Sequence, residues 1–163
     1  MLIRRAIESD FEQIWQIFKA VIEPGDTYVF DSNTEREEAF GYWFGAGIAT
    51  YVAEESGQIL GMYKLIPNQR DLGSHVANAS FMVNPHCHGQ GTGRIMGLHC
   101  FEEAKKVGYL AIQFNFVVST NEAAVALWKK LGFSIVGTLP KAFNHKRLGY
   151  VDAYVMYRFL DES

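Results

Sequence analysis

The sequence predicts an α/β domain of the α+β kind: a mixed central sheet of about six or seven strands with helices packed on it, one domain over residues 1–163. Three observations carry this expectation. The 163 residues are 48% hydrophobic and 14% aromatic, and a chain of this length buries about two-thirds of its unfolded surface without disulfide or metal staples. Two β-rich runs around Ser56-Gly57-Gln58 form an antiparallel hairpin, while the strand, helix, strand succession from Val76 to Val118 needs a crossover and therefore a parallel pair. No repeat, low-complexity tract or linker divides the chain.

The elements follow in order. Ser9-Asp10-Phe11-Glu12 is a capping-box pattern, and Phe11, Ile14, Trp15, Phe18, Val21 and Ile22 then repeat at helical spacing until Pro24-Gly25. Thr34 to Glu37 repeats the signal before a shorter helix carrying Ala39, Phe40, Trp43 and Phe44, ended by Gly45-Ala46-Gly47. A polar loop from Gly25 to Asn33 joins the two. Thr50–Ala53 and Ile59–Ile66 form the hairpin, and Val76–Val83 is a third strand stopped by Asn84-Pro85, because proline lacks the donor that pairing needs. The pattern turns helical from Gly91 to about Val107, with Ile95, Leu98, Phe101 and Ala104 on one side and Gly108 at the end. Leu110–Val118 is a strand, Asn121–Leu131 a helix, and Phe133–Leu139 and Tyr150–Leu160 are two more strands.

Charge and composition exclude several functions. A formal charge of -3, with no basic cluster beyond Lys129-Lys130 and Lys146-Arg147, lacks the footprint of a nucleic-acid binder. No apolar run approaches the roughly 20 residues of a membrane span. Two cysteines, and no signal-peptide order at Met1–Ile7, lead us to expect a reducing, cytoplasmic setting. No metal is expected. The neighbouring ligand types of His86-Cys87-His88 point apart in an extended loop, and Asp31-Ser32-Asn33 opens like a calcium loop but has Arg36 where the turn requires glycine.

The most informative segment is His88-Gly89-Gln90-Gly91-Thr92-Gly93-Arg94, between a strand end and a helix start. Its glycines leave backbone N–H groups uncovered, and the helix N-terminus adds positive partial charge, so a phosphate or pyrophosphate fits there. A dinucleotide fingerprint would need glycine where Arg94 stands, and the Gly-Lys-Ser/Thr end of a P-loop is absent. With Val83-Asn84-Pro85 before it, and Asn121 through Leu127-Trp128 to Leu131-Gly132-Phe133 after it, this loop resembles that of the GCN5-related N-acetyltransferases, over nearly the whole chain. The resemblance implies acetyl-CoA as cosubstrate, a fourth strand that bulges and parts from the fifth, and a notch where the backbone of Phe81, Met82 and Val83 pairs with the pantetheine arm. It implies that His88, Gly89, Gln90, Gly91, Thr92, Gly93 and Arg94 hold the pyrophosphate, with His88 in the family's arginine or glutamine place. Asn121 matches the asparagine that contacts pantetheine, a role compatible with a helix N-cap. Trp128 stands where the family often has a tyrosine acid; its indole N–H donates but is no phenol-like acid, so it belongs to the cofactor site or to the core.

On the acceptor side, alternation puts Asn78 and Ser80 on one strand face and Gln113 and Asn115 on another, and buried amides need partners, so Asn78 and Asn115 are the candidate substrate contacts. No carboxylate stands out as a base mid-sheet; Glu54 and Asp152 are the ones to test, and a backbone N–H near Val83 is the candidate oxyanion donor. The order Gly25-Asp26-Thr27-Tyr28, together with these amides, resembles the subgroup that acetylates small amino acids, including the yeast azetidine-2-carboxylate enzymes. That resemblance implies that Tyr28 closes over a small acceptor and Thr27 bonds its carboxylate, Tyr28 otherwise pinning the loop to the core. The expected function is acetyl transfer from acetyl-CoA to a small-molecule amine by direct attack. The alternatives are a phosphinothricin-like acceptor, or an acetyl-CoA-binding module without efficient catalysis. The family also makes a homodimer possible.

Overall fold

In the computed structural model, residues 1–87 and 89–161 are described. The strands are β1 (Leu2–Arg5), β2 (Ala49–Glu55), β3 (Gln58–Pro67), β4 (Val76–Val83), β5 (Ala111–Val118), β6 (Ser134–His145) and β7 (Gly149–Phe159). The helices are α1 (Phe11–Ile22), α2 (Arg36–Phe44), α3 (Thr92–Val107) and α4 (Glu122–Lys130). They build a seven-stranded sheet in the order β1-β2-β3-β4-β5-β7-β6, antiparallel throughout except for the β4–β5 pair. The mixed α+β sheet expected from the sequence is the one observed.

Each face of the sheet carries its own core. Ile14, Phe18 and Ile22 of α1 and Ala39 and Trp43 of α2 pack on Val52, Met62 and Met82. On the other face Met96, Cys100, Phe101 and Ala104 of α3 and Trp128 of α4 pack on Tyr63, Leu65, Ala79, Ile112 and Phe114. The helical spacing of these apolar residues supplies the stripes, and strand alternation sends neighbouring residues of β3 and β4 to opposite cores.

Three differences from the sequence reading have clear causes. β1 is a strand that the sequence did not reveal: it is four residues long with two arginines, and Arg4 is held by tertiary partners, Asp10 at 2.9 Å and Glu54 at 2.5 Å. Neither capping box forms. Ser9 makes no cap, Asp10 Oδ2 instead accepting from the Ile7 N–H at 2.8 Å, and the Thr34 hydroxyl donates to the Asp31 carbonyl. Finally, β6 runs past Leu139 to His145, which an edge strand with bulges permits despite Pro140.

The feature that positions the site is the parting of β4 and β5. They pair only at Val76–Ala111 and Ala77–Ile112. The expected bulge is not in β4, whose register against β3 is unbroken from Gly61–Val83 to Pro67–Ala77. It lies in β5, where the register against β7 shifts between Phe114 and Val117, so the extra residue swings β5 away.

Candidate active site

The splay leaves backbone groups of β4 without a strand neighbour. Asn68 N–H donates to the Val76 carbonyl and Asn84 N–H to the Leu60 carbonyl, both at 2.8 Å, so the even-numbered residues of β4 bond to β3. Alternation then turns the N–H and C=O groups of Phe81 and Val83 toward the missing neighbour on the β5 side. Phe81, Met82 and Val83 all line a cavity of about 740 Å³ in the splay, and a free strand edge accepts an extended chain through such groups.

At one end of this cavity lie Gly89, Gln90, Gly91, Thr92, Gly93 and Arg94. Gly91 caps α3 at φ 73°, a left-handed conformation that suits glycine, and its carbonyl accepts from Ile95 N–H. The amides of Thr92, Gly93 and Arg94 therefore have no carbonyl partner inside the helix. The Thr92 Oγ1 is buried and has no hydrogen-bond partner, an orphan at the N-terminus of a sixteen-residue helix. Unpaired amides, an unpaired hydroxyl and the helix dipole together suit an anionic pyrophosphate. His88 lies outside the described residues.

The other wall is built by α4 and the core. Asn121 caps α4, its Oδ1 accepting from Ala124 N–H at 3.4 Å, and it also lines the cavity. Trp128 belongs to both core and wall: it is 7% exposed, with its ring 4.8 Å from Phe81 and 4.6 Å from Phe114, and it forms part of the cavity wall.

The α1–α2 side supplies the remaining wall. Tyr28 lines the cavity with its hydroxyl donating to the Phe81 carbonyl, which ties the 25–33 loop to β4, and burial pushes its phenol pKa up. A second tie is the Lys146 N–H donating to the Gly25 carbonyl at 3.0 Å. Thr27 is half-buried at the same wall. Asn78, Ser80 and Asn115 also line it, and the Tyr42 hydroxyl donates to Ser80 Oγ at 2.8 Å. Asn78 Nδ2 donates to the Gln113 carbonyl at 2.9 Å, bridging the strands where they begin to part. Asn115 differs from the expectation of a buried amide: it is exposed at the rim, its Nδ2 donating to Asn68 Oδ1 at 2.7 Å and its Oδ1 accepting from Gln113 Nε2 at 2.9 Å. The swing of β5 carries it outward.

A family model described as the acetyltransferase (GNAT) family matches residues 9–133. The chain belongs to that family. The GNAT chain is 30% identical over 156 residues to N-acetyltransferase aca1 of Schizosaccharomyces pombe, covering 85% of this chain and 75% of the relative. It superposes with a TM-score of 0.92 on a GCN5-related N-acetyltransferase from Kribbella flavida, at 40% identity over 97% of this chain and 96% of that one. A phosphinothricin acetyltransferase from Sinorhizobium meliloti, solved in complex with AcCoA, shares the fold with a TM-score of 0.85 at 19% identity, over 97% and 87% of the two chains. As a GNAT member the protein is an acetyl-CoA-dependent N-acetyltransferase.

Neither carboxylate singled out as a base is brought to this cavity. Glu54, on β2, is spent on Arg4, and Asp152, on β7, accepts from the Lys141 N–H at 2.9 Å. Tyr42 and Ser80 are wall residues that the sequence reading did not select. Ser80 was legible from its alternation with Asn78, but Tyr42 reaches the site only through the packing of α2 on the sheet. Among the described residues no helix is long and apolar enough to cross a membrane.

Proposed function

We propose that this N-acetyltransferase acts on the amine of a small molecule, a small amino acid or a toxic analogue of one, by direct attack of the neutral amine. The observation that carries this reading is the acceptor wall, where Tyr28, Tyr42, Ser80, Asn78 and Asn115 offer hydroxyls and amides beneath a loop tied down at both Tyr28 and Gly25. Such a wall orients a small polar ligand without demanding a charged peptide partner.

The residues present fit acetyl-CoA, which supplies an activated acyl thioester when bound. The Phe81 N–H and the Val83 carbonyl hold the extended arm at the edge of β4, while Thr92, Gly93 and Arg94 meet its pyrophosphate with N–H groups and the Thr92 hydroxyl. The Val83 N–H is the donor we assign to charge developing on the acyl oxygen. Asn78 and Asn115 orient the acceptor, and Trp128 excludes water from the far side. With Glu54 and Asp152 engaged elsewhere, the proton of the attacking nitrogen leaves through water or a backbone carbonyl, and positioning carries most of the rate enhancement. Buried free thiols at Cys87 and Cys100 suit the cytoplasmic setting we assign.

The test is thiol release from acetyl-CoA across small α-amino acids, cyclic imino acids, phosphinothricin, polyamines and a lysine peptide, with product masses recorded. Turnover of the amino or imino acids supports the reading; turnover confined to the peptide or the polyamines overturns it.

A further inference from the structure

Lys64 is a charged residue in the middle of a buried strand, and the chemistry described so far leaves it without a task. It lies on β3 with 6% of its surface exposed. Its Nζ donates to the Tyr42 carbonyl at 3.1 Å and stands 3.3 Å from the centroid of the Tyr42 ring. Among the described residues no carboxylate forms an ion pair with it, and burial alone pushes its ammonium pKa down to about 8. A buried cation without an anion is costly unless something supplies the counter-charge.

Its surroundings show what could. Lys64 faces Thr50 of β2 and Ser80 of β4 directly across the ladders. The Thr50 hydroxyl is committed to the Trp43 carbonyl of α2. Ser80 Oγ accepts from the Tyr42 hydroxyl, and both residues line the acceptor wall. The titratable groups that these contacts bring to Lys64 are Tyr42 and, beyond it, Tyr28, and burial pushes both phenols up, so neither loses its proton near neutral pH. Lys64 is the member of this cluster that changes charge there. An anion that accepts from the Ser80 hydroxyl sits beside the strand position directly opposite Lys64 and against the tyrosine whose ring the ammonium contacts, and an opposite charge that close favours the ammonium form.

We propose that Lys64 is a positioning residue that selects a carboxylate-bearing acceptor, its ammonium behind Tyr42 attracting a carboxylate that accepts from the Ser80 hydroxyl, which Tyr42 holds in place. This deepens the acceptor reading above and rests on it. Lys64 touches neither the reacting amine nor the thioester; it sets which molecules dwell at the wall and how they are turned.

The experiment measures, by calorimetry on protein saturated with coenzyme A, the binding of cyclobutanecarboxylate and of the neutral cyclobutanecarboxamide from pH 6.5 to 9.5. The wild type is expected to prefer the carboxylate by at least about tenfold at pH 7. Its carboxylate affinity is expected to fall by up to about tenfold per pH unit as Lys64 deprotonates, since bound anion and proton are linked. Lys64→Met is expected to abolish the preference and the pH slope while leaving amide binding within about twofold, and Lys64→Arg to retain the preference. Equal binding of acid and amide by the wild type, a flat pH profile, or an undiminished preference in Lys64→Met overturns the proposal. The wild-type profile decides the matter even where the methionine variant does not fold. Acetylation of amines with no carboxylate preference removes Lys64 alone, whereas failure of the amino acids in the thiol-release panel removes the acceptor reading itself.

Discussion

Replacing Thr92 by valine is expected to move two measurements in opposite directions. The Thr92 Oγ1 is buried with no partner, and the side chain is 2% exposed at the first position of α3. An unsatisfied buried hydroxyl costs about 1–3 kcal/mol, and a methyl of the same shape does not carry that cost. Each kcal/mol shifts the melting temperature of a domain of this size by about 2–4 °C, so the free Thr92→Val protein should melt at least about 2 °C higher. With coenzyme A bound, the same hydroxyl is expected to donate to a pyrophosphate oxygen, a charge-assisted bond of about 1.5–3 kcal/mol. Its loss weakens the Kd roughly 10- to 150-fold. Differential scanning fluorimetry without ligand and calorimetric titration with coenzyme A read the two effects. A variant that melts lower and binds coenzyme A as tightly as wild type would refute both the orphan hydroxyl and its assignment to the pyrophosphate.

Other expectations are as direct. Asn78→Ala with Asn115→Ala is expected to reduce kcat/KM for the acceptor by more than about tenfold while coenzyme A affinity holds; unchanged turnover would remove both from the acceptor wall. In Gly61→Ala the new Cβ would stand 2.8 Å from the Met82 carbonyl oxygen and 2.9 Å from Met96 Cε, so β4 must shift. The expected loss is about 1–3 kcal/mol in urea unfolding, and a neutral result would mean the β3–β4 pair yields more easily than its unbroken register suggests. The Arg4 guanidinium, bonded to both oxygens of Asp10, holds that carboxyl below the ordinary carboxylate range. Its stabilisation is therefore present above the ordinary carboxylate pKa and is lost as pH falls through the lower folded value. Asp10→Asn is expected to cost about 1–3 kcal/mol at pH 7, with the urea midpoints of variant and wild type converging below about pH 4. A gap independent of pH would place the loss in shape rather than charge.

Much of the fold was legible because periodicity reports burial. Helices α1, α3 and α4 and strands β4 and β5 appear within a residue or two of where apolar spacing and Pro or Gly punctuation put them. β1 was not legible, since four residues with two arginines carry no apolar pattern and pair only because Arg4 finds Asp10 and Glu54. The same limit governed the site. The glycine loop and Asn121 are local signals, as is Lys64, a lysine inside an apolar strand, although that pattern does not name its partners. Asn115 shared the alternation of Gln113 but stands exposed, because a bulge in β5 cannot be counted from side-chain pattern.

The sequence by itself determined the order of every element after β1, the mixed sheet, the glycine turn at residues 89–94 and the family, because each is written in local periodicity, glycine and proline punctuation and motif spacing. Only the tertiary structure decided which strand bulges, that Glu54 and Asp152 are spent away from the cavity, and that Tyr42 of α2 stands over Lys64 of β3 and against Ser80 of β4. Those outcomes depend on side chains from separate elements competing for the same partners, and that competition is settled only when the helices dock on the sheet.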